Sequence, residues 1–179
     1  MARLFTFLRA INVGGHTVTM LKLRKIFEDL GFDDVETFIA SGNVIFTSPS
    51  KPLLALERKI EDGLQKSLGY EVKTFIRTAP ELVAVSGYKP FPEAQIRIAG
   101  AFCVGFLAEP LDAEAKTALF ALKSDIDDLH THGREVYWLC KTQQHESKFS
   151  NVRFEKATGA KVTFRGANTV AKLAAKAHA

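Results

Sequence analysis

Three short segments hold the residue types that could do chemistry, and all three suit an anion better than a bond-breaking reaction. The first is Arg9-Ala-Ile-Asn12-Val-Gly14-Gly15-His16. Consecutive glycines let backbone amides approach an anion closely, and Arg9 and Asn12 would add charge and directed hydrogen bonds. It is no phosphate-loop motif, because no Gly-Lys-Ser/Thr is present and no GxGxxG opens the next helix. A glycine-permitted turn between strand and helix explains the same residues without a ligand. The second segment, Ser41-Gly42-Asn43, has the chemistry of a hairpin turn, which accounts for it without function.

The third segment is Glu146-Ser147-Lys148-Phe149-Ser150-Asn151, followed by Arg165, Asn168, Thr169 and Lys172. Each half stands at the expected start of a helix, where unsatisfied N–H groups and the helix dipole favour a phosphate or carboxylate. Ser and Asn are also good helix caps, so capping accounts for Ser150 and Asn168 but not for the neighbouring cations. Other chemistry is weakly signalled. His130 and His132 would share a strand face, yet a hairpin turn is expected at His132 and no third ligand stands at a recognisable spacing, so no metal site is expected. Neither a serine elbow nor an HExxH motif occurs, and no cofactor is implied.

These segments are positioned by an alternation of strand and helix signals. Residues 3 to 11 are apolar and β-rich, and the glycine loop stops them. Met20, Leu23, Phe27 and Leu30 then recur at helical spacing, with Thr19 as N-cap and Gly31 at the C-terminal end. Strands are predicted at Val35 to Ala40 and Val44 to Thr47, around Ser41-Gly42-Asn43. A second helix carries Leu53, Leu56, Ile60, Leu64 and Leu68 on one face, with Ser50 and Pro52 at its start and Gly69 at its end; Glu71 to Thr78 is a further strand. The order β-α-β-β-α-β is that of ferredoxin-like domains. Phe5 and Phe7 share a strand face with Arg3 and Arg9, a pattern that could stack on single-stranded nucleic acid or could be buried by a second layer.

The second half starts near Ala79, with a short helix over Pro80 to Ser86 and a linker-like Gly87 to Pro92. A strand is predicted over Arg97 to Leu107, a helix capped by Asp112, and a hairpin of Ile126 to Thr131 and Arg134 to Cys140. Ser147 or Ser150 can cap the next helix before Gly159. Asn168 can cap the last, with Val170, Ala171 and Ala174 inward. No internal repeat of fixed period is evident.

With 179 residues, 46% of them hydrophobic and 25% charged, the chain can build a core without cross-links and is neither collagen-like nor disordered. Its net charge of +4 is unevenly spread: residues 1 to 140 hold 16 basic and 18 acidic residues, residues 141 to 179 hold 8 and 2. The basic character therefore belongs to the C-terminal segment that also holds the third group of candidates. Cys103 and Cys140 lie in apolar runs and read as buried free thiols rather than a disulfide framework. With neither a signal-like start nor a membrane-length apolar stretch, a cytoplasmic protein with no membrane partner is expected.

The runs LRAINVGG at 8 to 15, MLKLRKIFEDLGFDDVETFIASGNVIFTS at 20 to 48, ESKFSN at 146 to 151 and NTVAKL at 168 to 173 resemble the bacterial family of uncharacterised proteins known as domain of unknown function 1697. The resemblance implies two α+β subdomains, the first ferredoxin-like, and transfers no reaction, cofactor or catalytic residue. Two positions depart from the family pattern: Ala10 stands where the first motif usually has Gly, and Arg165-Gly166-Ala167-Asn168-Thr169 lacks the aromatic of an Arg-Asn-Trp-Asn-Thr-like ending. Lys141-Thr-Gln-Gln-His145 also lacks a glycine that often precedes the ESK-like residues of relatives.

The expected fold is α+β: a ferredoxin-like βαββαβ subdomain over residues 1 to 80, and a second, smaller α+β subdomain over 81 to 179 that carries the basic C-terminal segment. The expected function is binding of an anionic small molecule, a nucleotide or phosphorylated metabolite, in a cleft between the subdomains. Arg9, Asn12, Gly14, Gly15, Ser147, Lys148, Asn151, Arg165, Asn168 and Thr169 are the candidate ligand residues. The alternatives are a single-stranded nucleic-acid-binding module built on Phe5, Phe7 and Arg9, and a protein-interaction domain without catalysis.

Overall fold

A computed structural model describes residues 1–12, 15, 17–49 and 52–178, with the side chains of Ala40, Ser41 and His178 left aside. Gly14 and Ser50, singled out from the sequence, lie outside the described residues. The chain is α+β and divides into two compact units, Met1–Ala84 with Lys172–Ala179, and Val85–Ala171.

The first unit runs β1 (Ala2–Leu8), α1 (Met20–Asp29), β2 (Asp33–Phe38), β3 (Ala40–Ser48), α2 (Leu53–Leu68) and β4 (Thr74–Thr78). Its antiparallel sheet has the order β2-β3-β1-β4, the ferredoxin-like arrangement. Helix α1 starts where the Thr19 hydroxyl accepts the Lys22 N–H at 3.1 Å, and it buries Leu23, Ile26 and Phe27. Gly31 follows at φ +91°, a left-handed position that an L-residue enters only at a cost. Helix α2 buries Leu56, Ile60 and Leu64 in the same core, with Leu4, Phe46 and Ile76 from the sheet. Its Glu57 is buried too and accepts the Ile76 N–H at 2.9 Å, joining helix to strand through a charge-assisted hydrogen bond. At the end of the chain, Lys176 pairs with Glu36 of β2 and lies 4.7 Å from the centre of the Phe38 ring.

The β2–β3 hairpin departs from the sequence reading. Ser41-Gly42-Asn43 is not the turn but part of β3; the chain reverses at Ile39, whose φ is +65°. Thr37 stands opposite Val44 and Phe38 opposite Ala40, so residues 41–43 bulge out of the β2 ladder. The buried Asn43 compensates by donating from Nδ2 to the Phe38 carbonyl at 3.1 Å, while its backbone stands opposite Phe7 in β1. Local turn chemistry marked the irregularity; pairing with β1 decided its form.

After α3 (Ala79–Gly87) and α4 (Glu93–Ile98), the second unit runs β5 (Ala101–Phe106), α5 (Ala113–Phe120), β6 (Asp127–His132), β7 (Glu135–Cys140), α6 (Asn151–Thr158) and β8 (Thr163–Gly166), and then enters α7 (Ala167–Ala175). Its sheet order, β6-β7-β5-β8, repeats the topology of the first unit element for element. No fixed sequence period betrays this duplication, because helices of 10 and 16 residues in the first unit correspond to helices of 8 and 8 in the second.

Three further boundaries differ from expectation. Arg97 and Ile98 belong to α4, and β5 begins only at Ala101, because Pro92 starts a short helix just upstream. The fourth strand begins at Thr74 rather than Glu71. Helix α7 begins at Ala167, which puts Asn168 inside its first turn rather than at the cap; Val170, Leu173 and Ala174 are buried while Ala171 is exposed. The second core gathers Leu119, Leu129, Trp138, Phe149, Phe154 and Val162 around the sheet. Cys103 and Cys140 are both free and buried. Burial, and then proximity to Cys140, pushes the Cys103 thiol up to about 11, so it is an unreactive apolar filler.

Candidate functional site

Two loops of the second unit converge on a buried carboxylate. Asp127, 4% exposed at the start of β6, accepts the Trp138 indole N–H at 2.8 Å and the Ser147 hydroxyl at 2.6 Å, with Ser124 Oγ at 3.4 Å. Ser147 Oγ in turn accepts the Phe149 N–H at 2.9 Å, and Ser150 Oγ caps α6 by accepting the Arg153 N–H at 3.2 Å. Ser147, named from the sequence as a candidate ligand residue, fixes the stretch leading into α6 through its hydrogen bonds with Asp127 and Phe149.

Beside this anchor lies a cavity of about 420 Å³, walled by residues 121–127 together with Glu146, Lys148 and Arg153. Its cations are Lys123, Lys148 and Arg153, and its carboxylates are Asp125, Asp127 and Glu146. Lys123 stands 3.5 Å from Asp128. Lys148 and Arg153 are exposed and have no carboxylate partner among the described residues.

A second cavity, of about 650 Å³, also borders the start of α6. Phe149, Ser150 and Asn151 line it together with Gln143, Gln144 and His145. Trp138 and Phe164 complete it, and the rings of Trp138, Phe149 and Phe164 pack with centroids 4.9 to 6.0 Å apart. A third cavity, of about 340 Å³, shares Gly100, Ala101 and Gln144 with the second and reaches Gly166, Ala167 and Asn168 at the start of α7. The second and third cavities are thus neighbours that adjoin at these shared residues. Only glycine fits at Gly100, since a Cβ at this position would stand 1.8 Å from the Thr142 carbonyl oxygen.

The candidate residues read from the sequence are distributed as follows. In the second unit, Lys148 lines the first cavity, Asn151 the second and Asn168 the third, while Thr169 lines none of these. Arg165 turns back on its own strand, donating from one nitrogen to Thr163 Oγ1 at 2.7 Å and to the Phe164 carbonyl at 2.9 Å. Burial pushes its guanidinium down to about 10. In the first unit, Asn12 Oδ1 accepts the Val18 N–H at 2.7 Å and the Arg9 N–H donates to the Lys73 carbonyl at 2.9 Å. Gly15 has φ +83°, and Tyr70 donates to the Ile11 carbonyl at 2.8 Å.

Sequence reasoning missed Lys123, Arg153, Gln143, Gln144 and the anchoring Asp127. Asp127 and Ser147 are twenty residues apart, so only the sheet brings them together. The aromatic absent from the family-like ending corresponds to Ala167, on the wall of the third cavity.

A family model described as "Protein of unknown function (DUF1697)" matches residues 1–137. Among solved structures, the conserved bacterial protein SP0830 from Streptococcus pneumoniae is similar in fold, with a TM-score of 0.74 and 24% sequence identity over 100% of this chain and 99% of that one. No curated protein matches the chain. With the family match spanning well over half of its length, the chain belongs to the family of proteins of unknown function DUF1697.

Proposed function

We propose that this protein binds an anionic small molecule, a nucleotide or other phosphorylated metabolite, at the cavity beside the start of α6. The observation that carries the reading is that Lys148 and Arg153 line one cavity with Lys123 and neither is paired with a carboxylate among the described residues. Phosphate oxygens would accept charge-assisted hydrogen bonds from these cations. Asp125 and Glu146, on the same wall, would accept from hydroxyl groups, which suits a phosphate ester of a sugar. Asp127 is already engaged by Trp138 and Ser147 and holds the wall in place.

Two lesser observations accord with this reading. Phe5 and Phe7 are 1% and 0% exposed, so their rings offer no stacking surface to nucleic-acid bases. Two free, buried cysteines suit a reducing compartment, and no helix among the described residues is long and apolar enough to cross a membrane; we place the protein in the cytoplasm.

Thermal unfolding against inorganic phosphate, ribose 5-phosphate and nucleoside monophosphates tests the reading. A ligand present at a hundred times its Kd adds about 2.7 kcal/mol, which raises the melting temperature by roughly 5–10 °C for a chain of this size. The shift should vanish in the Lys148→Ala/Arg153→Ala variant. No shift across the panel, or one that survives both substitutions, refutes it.

A further inference from the structure

We infer that the groove lined by the two adjoining cavities, which share Gly100, Ala101 and Gln144, takes a neutral nitrogen heterocycle, the base of a nucleotide. This deepens the proposed function and rests on it, with the phosphate of the same ligand at Lys148 and Arg153.

The lining decides the ligand chemistry. Among the described residues the groove presents no Lys, Arg, Asp or Glu; its polar side chains include four carboxamides, Gln143, Gln144, Asn151 and Asn168. A carboxamide offers a donor and an acceptor side by side, the pattern that matches the edge of a purine or pyrimidine and not the acceptors of a phosphate. The side chains of Gln143, Gln144 and Asn168 are exposed and make no hydrogen bond to the protein among the described residues. Asn151 uses Nδ2 to donate to the Val162 carbonyl at 3.3 Å, which orients its Oδ1 as an acceptor. Of the three rings in the lining, Trp138 and Phe149 are buried in the core and Phe164 is half-buried, so Phe164 is the one that offers apolar surface to the flat face of a ring. A purely aliphatic ligand would cover the carboxamides without satisfying them, at a cost for each group left unpaired.

The chain connects the two sites. Lys148 lines the first cavity, and Phe149, Ser150 and Asn151 line the groove. Three residues span at most about 11 Å even when fully extended, a separation that a nucleoside monophosphate can bridge. The Asp127–Ser147 hydrogen bond and the Ser150 cap fix this segment from both ends, so the two sites are held at a set spacing.

Calorimetric titration of the whole protein with the four common ribonucleosides, their 5′-monophosphates, ribose 5-phosphate and inorganic phosphate tests the inference. At least one uncharged nucleoside should bind, and its monophosphate at least about tenfold more tightly. Gln144→Ala and Asn168→Ala remove exposed side chains; each should weaken the nucleoside about tenfold and leave ribose 5-phosphate unchanged. Lys148→Ala/Arg153→Ala should reduce the monophosphate to the affinity of its nucleoside. If ribose 5-phosphate binds and no nucleoside does, the inference is overturned while the anion site stands. If nucleosides bind but the double variant changes nothing, the anion site falls instead. Binding of neither class overturns both.

Discussion

The Asp127 anchor makes a demanding prediction. Replacing it by alanine removes the acceptor for the Trp138 indole N–H and the Ser147 hydroxyl, two short hydrogen bonds at 2.8 and 2.6 Å, and a weaker one from Ser124 at 3.4 Å. Hydrogen bonds to a charged group contribute about 1.5–3 kcal/mol each, and a buried donor left unpaired costs about 1–3 kcal/mol. Trp138 is 4% exposed, so its N–H cannot turn to water, whereas the half-buried Ser147 can in part. Counting the indole in full and the serine at half weight gives a loss of about 2–4.5 kcal/mol for Asp127→Ala. Asp127→Asn keeps one carbonyl acceptor and should lose roughly 1–2 kcal/mol. The chain contains one tryptophan, so urea unfolding followed by its fluorescence reads this unit directly. The unfolding midpoint should fall with an unchanged slope, and the emission of native Asp127→Ala should differ because the indole has lost its partner. Asp125→Ala, an exposed carboxylate on the same loop, is the control and should stay within about 0.5 kcal/mol of the parent. If Asp127→Ala costs no more than this control, the anchor is not what holds the approach to α6.

Two further outcomes follow from the second unit. Gly100→Ala should destabilise it by about 3 kcal/mol in urea unfolding, because the new methyl meets the Thr142 carbonyl oxygen at 1.8 Å while the Gly100 N–H is tied to the Cys140 carbonyl at 2.9 Å. His130, whose Nε2 lies 2.8 Å from the Tyr88 hydroxyl, is held below its ordinary value by burial and then by His132 and Lys123, against the opposing pull of Asp128. The unfolded chain therefore takes up this proton first. Stability should fall as pH drops from about 7 through about 6.5 and level off below the folded value, and in His130→Gln the pH dependence of the unfolding midpoint should be shallower. An unchanged profile in that variant would assign the slope to other groups.

The ferredoxin-like order of the first unit was legible because each element announces itself locally. Leu23 and Phe27 recur at helical spacing, Thr19 caps, Gly31 and Gly69 stop the helices, and the strands between them are apolar. The second unit was legible in outline for the same reason: Asp112 and Ser150 cap their helices as expected, and Gly133 turns the β6–β7 hairpin. Misreadings arose where a neighbouring strand outweighed local preference, as at Ser41-Gly42-Asn43, or where a short helix stood beside an apolar run, as at Arg97 and Ile98. The repetition of one topology in both units was invisible, because topology depends on which strands pair and not on the spacing of residues along the chain.

For the candidate site the balance is different. Lys148, Asn151 and Asn168 were recognisable by type and by their place near helix starts, since capping and dipole effects are local. Their grouping was not: the fold sends them to separate walls, commits Arg165 to its own strand, and adds Lys123, Arg153, Gln143 and Gln144, which no motif marks. The sequence by itself determined the α+β class, the helix caps and the basic C-terminal segment, because these rest on interactions within a few residues. Which side chains share a cavity, and whether a serine faces a ligand or a buried carboxylate twenty residues away, were decided by strand pairing and burial alone.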